Sequence, residues 1–159
     1  MTSRITDAES FATVRQQMMH LTQYIRNQSD LEPGIRHLVD IRASQINDCA
    51  HCLAMHVEEA LKDGDRVDRL ALVSAWQEAE DWFTPRERAA LLWTEALTRI
   101  STDKVSDELY AKVRGEFGEK DLADLTLAVI AINGWNRLNV PFNTSSRHFE
   151  MPAPETVAH

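Results

Sequence analysis

Cys49 and Cys52 are the only two cysteines among the 159 residues of the chain, and two positions separate them. His51 lies between them, and His56 follows Cys52 by four residues. Cysteines at this spacing can close and reopen a small disulfide with little change in the surrounding fold. Because no other cysteine is present, we interpret the pair as a reversible dithiol rather than as part of a structural cross-link framework.

The local position of the pair should raise its reactivity. Asp48 is predicted to cap a helix in which Cys49 is about the first residue, Cys52 the fourth, and His56 lies one turn further on the same face. Free amides and the helix dipole favour a thiolate, so thiols placed there have pKa values lowered from ~8.5 to about 3.5–7.5. A protonated His51 or His56 would add to this effect, whereas the charge of Asp48 would oppose it.

Such a thiolate can attack the O–O bond of a hydroperoxide, which gives a sulfenic acid and an alkoxide or hydroxide that needs a proton. Histidine titrates near pH ~6.5 and is suited to donate that proton. The second cysteine then condenses with the sulfenic acid to form a disulfide. Turnover requires an external dithiol, so a reducing partner is part of the hypothesis.

Size and charge narrow the class of protein. A chain of this length is most simply one domain that buries a sizeable core. The formal net charge of −8, without a basic stripe, argues against nucleic acid as a partner. The same charge disfavours anionic substrates unless Arg or Lys lines the site, which makes neutral or hydrophobic substrates the simpler assumption.

Segment composition predicts the location of the protein. No run approaches the ~18 apolar residues that a membrane span requires. The first twenty residues carry Asp7 and Glu9 and lack the apolar core of a signal peptide. We therefore predict a cytoplasmic protein without membrane association, in a compartment where thiols are kept reduced.

Apolar residues recur at steps of three and four along most of the chain, which predicts an all-α, compact single-domain bundle of six or seven helices and no strand. Ser29 or Asp30 is predicted to cap the second helix, and Gly64 to end the helix that carries the cysteines. Thr84 and Glu87 form a capping box at the start of the fifth helix. The other predicted helices cover about 7–27, 70–76, 106–118 and 121–139.

A change of composition divides the chain near its end. We predict a helical domain over residues 1–140 and a C-terminal tail over residues 141–159, which is rich in Pro, Ser, Asn and Thr.

The segment before the cysteines carries a resemblance to a known family. It reads Arg42-Ala43-Ser44-Gln45-Ile46-Asn47 and is followed by C-x-H-C and a histidine four residues on. This pattern resembles the alkylhydroperoxidase AhpD and carboxymuconolactone decarboxylase family, and similarity extends over 84–100 and 121–140. The resemblance implies an all-helical fold, no metal or organic cofactor, homo-oligomers such as trimers or hexamers, and peroxidase activity that uses a dithiol or thioredoxin-like reductant.

The same resemblance implies roles for individual residues. It makes Cys52 the attacking cysteine, Cys49 the resolving cysteine, and His51 and His56 relay histidines. The helix terminus alone would instead favour the thiolate at Cys49. Where the family pattern has a relay glutamate, twelve residues before the first cysteine, this chain has His37. We hypothesise that His37 acts there as an alternative base.

Two other classes of function remain open from the residues. The family also contains cofactor-free lactone decarboxylases, which generally lack this cysteine pair. A zinc-binding or redox-sensing interaction module is the other class, because both cysteines and His56, with His37 or His51, could supply four zinc ligands. The spacing is unlike that of common zinc modules, whose second ligand pair lies a dozen or more residues away.

Other polar residues near the pair are interpreted as structural. Glu58 and Glu59 are predicted to lie on a solvated helix face. Arg42 and Gln45 are predicted to hold two neighbouring helices together.

Overall fold

A computed structural model describes residues 2–145, and in this range the chain forms seven α-helices and no strand. The all-α prediction is confirmed. Two 3-10 helices, Leu72–Ala75 and Glu80–Trp82, lie between α4 and α5. None of the helices in this range combines the length and apolar character needed to cross a bilayer. The helices are α1 (Ala8–Asn27), α2 (Pro33–Ile46), α3 (Ala50–Lys62), α4 (Val67–Ala71), α5 (Pro85–Thr98), α6 (Asp107–Arg114) and α7 (Glu119–Asn139).

Helix α2 lies at the centre of the bundle and packs against α3, α5 and α7, while α7 also packs against α1. Apolar side chains on opposite faces of α2 enter two core clusters: Val39 joins one, and Leu38 and Ile41 join the other. All three side chains are fully buried. Cys49 and Cys52 belong to the first cluster, so the core itself holds the cysteine pair in place.

Several helix ends agree with the sequence predictions. Thr84 and Glu87 form the predicted capping box at the start of α5. Gly64 adopts a left-handed φ of 93° after α3, as predicted. The amide of Gly64 donates to the Leu61 carbonyl (3.1 Å) and that of Asp65 to the Ala60 carbonyl (2.9 Å), the bonding pattern of a Schellman motif.

The start of α3 differs from the prediction. Cys49, not Asp48, is the N-cap residue, and its sulfur accepts a hydrogen bond from the Cys52 amide at 3.3 Å. Asp48 has a left-handed φ of 53° because the turn from α2 is tight. In this turn the Cys49 amide donates to the Ser44 carbonyl at 3.0 Å. The cysteines therefore lie one position earlier in the helix than predicted.

The predicted cap of α2 is also wrong, because Glu32 precedes Pro33 as the N-cap residue and makes no side-chain capping bond. Both candidate residues are engaged elsewhere. The Ser29 hydroxyl donates to the Ile25 carbonyl at 2.5 Å, and Asp30 forms an ion pair with Lys120 at 2.8 Å.

The first residues of the predicted tail pack onto the helical bundle. The backbone amide of Arg4 donates to the Phe142 carbonyl at 3.0 Å, and the Phe142 ring meets the Phe11 ring edge-on at 5.1 Å. The remainder of the predicted tail, residues 146–159, lies outside the described residues.

A buried ion pair joins α2 to α5, in line with the structural role predicted for Arg42. Arg42 Nε donates to Glu95 Oε1 at 2.7 Å, and the Trp76 indole donates to the same oxygen at 2.9 Å. Glu95→Ala leaves both donors without this acceptor, so we expect the free energy of unfolding in urea to fall by about 3–5 kcal/mol. Glu80→Ala, at an exposed glutamate, should cost less than about 1 kcal/mol. Equal losses would contradict the assigned role.

Candidate active site

A group of amide side chains holds the turn before the cysteines against α7. Asn47 Nδ2 donates to Asn133 Oδ1 (3.0 Å) and to Asn136 Oδ1 (2.9 Å). Asn136 Nδ2 in turn donates to Ser44 Oγ at 3.1 Å. Asn136 is only 1% exposed, and a buried amide is destabilising unless it is hydrogen-bonded. The network therefore fixes the position at which α3 begins.

The cysteine pair is closed as a disulfide, with its Cα atoms 5.4 Å apart. Both residues are buried, at 2% exposure for Cys49 and 1% for Cys52. Asn139 Nδ2 lies 3.4 Å from the Cys52 sulfur and donates to it. Cys52 lines a pocket between the helices, whereas Cys49 is not among the lining residues. Cys52 is thus the cysteine that a molecule in the pocket would meet.

The pocket has a volume of about 430 Å³ and lies between α1, α2, α3 and α7. Four of the five predicted site residues line it: Cys52, His51, His56 and His37. Cys49, the fifth, does not line the pocket and belongs to the hydrophobic core. The apolar part of the lining, called the apolar wall below, comes from α1, α3 and α7 and includes Ile25, Met55, Ala128, Ala131, Ile132 and Trp135.

His56 is the buried histidine of this pocket. Its Nδ1 lies 2.9 Å from Glu59 Oε2 and 3.5 Å from Asp40 Oδ2. Because an ionised carboxylate accepts, Nδ1 carries the hydrogen of this bond. The other ring nitrogen, Nε2, is buried without a hydrogen-bond partner in residues 2–145. Nε2 is therefore the ring nitrogen of His56 whose hydrogen-bonding capacity is unused within these residues.

Charge around His56 favours its protonated form. Burial alone lowers the pKa of His56, but Asp40 and the hydrogen bond to Glu59 outweigh burial, so the pKa is raised above its usual value. The hydrogen bond from His56 lowers the pKa of Glu59 to about 2 against an opposing contribution from burial, and Arg26 adds to the lowering. Burial raises the pKa of Asp40. Glu59 thus stays ionised beside the imidazole.

Glu59 does not lie on a freely solvated face, so this prediction was wrong. Its side chain is 30% exposed and accepts two bonds from Arg26 Nη2, at 2.8 and 3.0 Å, besides the contact with His56. Glu58, by contrast, pairs with Lys62 at the surface. Glu59 follows His56 by three residues on α3, a spacing that places the two side chains on the same face and is visible in the sequence.

His37 is not one of the side chains that bond to His56. Its Nε2 lies 2.7 Å from Asp63 Oδ2, and Asp63 is largely exposed. The carboxylate that α2 directs toward His56 belongs to Asp40, nearly one turn after His37. A carboxylate thus lies beside His56 although position 37 itself is a histidine. Whether His37 acts as a base stays a prediction.

His51 contacts the beginning of the C-terminal segment, where its Nδ1 lies 2.6 Å from the Ser145 carbonyl oxygen. A carbonyl oxygen only accepts, so Nδ1 is the donor. This contact joins the residue between the cysteines to the chain beyond α7.

The predicted zinc-ligand set does not converge in the described part of the chain. Over residues 2–145, no three or more His, Cys, Asp or Glu side chains are grouped so that they could hold a metal ion. His37 instead contacts Asp63, and both cysteine sulfurs are joined to each other.

The fold and the site define a class of all-α proteins that carry a cysteine pair beside a buried histidine. The sequence model of the carboxymuconolactone decarboxylase family matches residues 12–96, and the chain belongs to this family. It is 40% identical to the uncharacterized protein YdfG of Bacillus subtilis over 77% of this chain and 82% of that protein. It is 28% identical to the uncharacterized protein YnjA of Escherichia coli over 76% of this chain and 63% of that protein.

Solved structures agree with this assignment. A protein of unknown function from Agrobacterium tumefaciens, described as a candidate antioxidant defence protein AhpD, is 35% identical. It superposes with a TM-score of 0.85 over 91% of this chain and 97% of that chain. The debrominase Bmp8 in complex with 2,3,4-tribromopyrrole has a TM-score of 0.76 over 86% of this chain and 72% of its own, at 14% identity. The latter likeness extends to the fold alone.

Removing the Glu59 charge should lower the pKa of His56. In Glu59→Gln the amide oxygen can still accept from Nδ1, but the negative charge that favours the imidazolium is lost. We expect the His56 titration, followed by NMR of the ring carbons, to move to lower pH by about one unit. Glu58→Gln makes the same change of charge one residue away and should leave the titration in place. An unmoved midpoint in Glu59→Gln would contradict the assigned electrostatics.

Proposed function

We propose that this protein is a thiol-dependent peroxidase that reduces hydroperoxides through a dithiol–disulfide cycle of Cys49 and Cys52. One observation carries the proposal: Cys52 and His56, whose Nε2 has no hydrogen-bond partner in residues 2–145, line the same pocket. A nucleophile and a proton donor at one cavity are what reductive cleavage of an O–O bond requires.

The cycle balances in three steps. The Cys52 thiolate attacks the outer oxygen of ROOH, the O–O bond breaks, and ROH leaves after taking one proton, while Cys52 becomes a sulfenic acid. The Cys49 thiol then displaces water from the sulfenic acid and forms the Cys49–Cys52 disulfide. An external dithiol reduces this disulfide by exchange and is itself oxidised to a disulfide.

His56 is proposed to supply the proton to the leaving alkoxide. Its raised pKa keeps the imidazolium populated to higher pH than for an ordinary histidine. Asp40 and Glu59 orient and stabilise the charged ring from the Nδ1 side. His51 and His37, which also line the pocket, are proposed as further relay groups that return protons to His56.

Asn139 is proposed to position the attacking sulfur. Its Nδ2 donates to Cys52, whereas its Oδ1 is buried without a partner in residues 2–145. That oxygen can accept from the O–H of a bound hydroperoxide, which would orient the O–O bond toward the sulfur.

The proposal extends to the assembly, the cellular location, the domain boundary and the reductant of the protein. We infer a homo-oligomer, such as a trimer or hexamer, in the cytoplasm, because apolar side chains such as Val67 (68% exposed) and Ile100 (61%) would be covered by neighbouring subunits. Residues 1–140 would form the catalytic domain and 141–159 the tail. Sulfur carries the electrons of the cycle, so no metal or organic cofactor enters these steps. A dithiol or thioredoxin-like protein would be the reductant.

The proposal is tested by the stoichiometry of the wild-type reaction. With a small dithiol such as dithiothreitol in excess, we expect one dithiol to be oxidised for each organic hydroperoxide consumed, at a rate proportional to protein concentration. The same protein alkylated at both cysteines under reducing conditions is the control. A rate no greater than that of the alkylated protein would overturn the proposed function.

A further inference from the structure

The charge of the pocket differs from that of the chain. Four Arg or Lys residues and three Asp or Glu residues line the pocket, although acidic residues outnumber basic residues 25 to 17 in the whole chain. Local basic side chains are the condition under which an acidic protein can still accept an anionic ligand. The basic residues of the lining are Arg15, Arg26, Arg36 and Lys62.

Two of these cations are neutralised within the protein. Arg26 makes a two-bond ion pair with Glu59, and Lys62 pairs with Glu58. Arg36 makes a single hydrogen bond, from Nη1 to the Leu31 carbonyl at 3.0 Å, and no ion pair within residues 2–145. The half-buried Arg36 guanidinium therefore keeps donors for an external acceptor.

Arg36 lies at the end of the pocket opposite to Cys52. Helices α2 and α3 run antiparallel, since Asp40 meets His56 and the next residue after Arg36, His37, meets Asp63. Cys52 lies in the first turn of α3 and Asp63 directly follows its end, so the two ends are separated by about 15 Å along the helix. Met55 of the apolar wall lies between Cys52 and Asp63 on α3, and the members of the wall on α7 precede Asn139, which contacts Cys52.

The cysteine end has polar atoms that a ligand could bind. His56 Nε2 and Asn139 Oδ1 are buried polar atoms without partners in residues 2–145, and both residues are 5% exposed and line the pocket. Leaving such atoms unpaired is destabilising, so a ligand with a polar group at this end would relieve the cost. The pocket thus offers polar atoms at one end, an apolar middle and an arginine at the other end.

We propose that Arg36 binds the carboxylate of an amphipathic organic hydroperoxide, such as a fatty acid hydroperoxide, whose chain lies along the apolar wall and whose hydroperoxide group reaches Cys52. This inference names the substrate class of the proposed peroxidase and rests on that function. Guanidinium binds carboxylate through two parallel hydrogen bonds, which distinguishes the acid from its ester or alcohol.

Binding tests the anion site without any activity. We expect dodecanoate, measured by calorimetry below its micelle concentration, to bind the disulfide form about ten-fold or more tighter than dodecanol. Arg36→Gln should remove this preference, and so should 1 M salt with the wild-type protein. Arg66→Gln, outside the pocket, should keep it. Equal wild-type affinities, or loss of the preference in Arg15→Gln but not in Arg36→Gln, would overturn the site.

Kinetics test the substrate class. For a fatty acid hydroperoxide, Arg36→Gln should reduce kcat/KM about ten-fold through KM, whereas its methyl ester should be used equally by both proteins. Equal loss for acid and ester would overturn the role of Arg36. If neither compound is consumed but dodecanoate binding still depends on Arg36, the peroxidase function fails while the anion site stands.

Discussion

Replacing either Cys49 or Cys52 by serine is expected to abolish dithiol-dependent hydroperoxide turnover, with a fall in kcat/KM of at least ~10³-fold for both variants. Serine cannot form a disulfide, and its hydroxyl is not ionised at neutral pH. Each cysteine is needed in the full cycle, because Cys52 takes up the oxygen atom and Cys49 removes it as water. The measurement is steady-state consumption of an organic hydroperoxide with dithiothreitol as reductant.

The two serine variants should differ within a single turnover. Cys49→Ser keeps the sulfur that lines the pocket, so one equivalent of hydroperoxide should be consumed rapidly without reductant. Cys52→Ser keeps only Cys49, which does not line the pocket, and should show no such burst. Circular dichroism and urea unfolding of both variants provide the control for folding. Undiminished steady-state turnover in either variant would contradict the cycle.

Replacing His56 by leucine is expected to produce the second largest loss, a fall in kcat of about 10²–10³-fold at neutral pH. Leucine fills most of the buried site but cannot donate a proton to the leaving alkoxide, which is then expelled unprotonated. The substitution also leaves the Glu59 carboxylate with only Arg26 as its partner. The measurement is the pH dependence of kcat between pH 5 and pH 9.

The sign of the pH effect follows from the raised pKa of His56. The wild-type rate should fall as pH rises through that pKa, because the proton donor is lost, and this limb should be absent in His56→Leu. His20→Leu removes an exposed histidine of α1 that does not line the pocket and should retain the wild-type profile. A wild-type profile in His56→Leu would exclude His56 as the proton donor.

Local sequence signals predicted the scaffold well. Regular apolar spacing located the long helices, and capping chemistry located the start of α5 at Thr84 and the end of α3 before Gly64. The start of α3 was predicted one residue too early. The tight α2–α3 turn, held by Asn47 and Asn136, decides that boundary, and contacts between distant segments cannot be read from local propensity.

The residues that could carry chemistry were predicted in part. The spacing of Cys49, Cys52 and His56 was sufficient to bring two of them to one pocket. The carboxylates beside His56 were missed because Asp40 reaches it from another helix and Glu59 reads as a surface residue in an amphipathic pattern. The pairing of α2 with α3 creates both contacts, and this pairing is a property of the tertiary fold.

The central claim, that Cys52 attacks the hydroperoxide, is tested most directly by mass spectrometry of Cys49→Ser after one equivalent of an organic hydroperoxide. With the resolving thiol absent, we predict that Cys52 becomes a sulfenic acid, which dimedone converts to a thioether adduct on Cys52 with loss of water. An unmodified Cys52, together with a dimedone adduct on Cys49 in the reciprocal Cys52→Ser protein, would contradict the account.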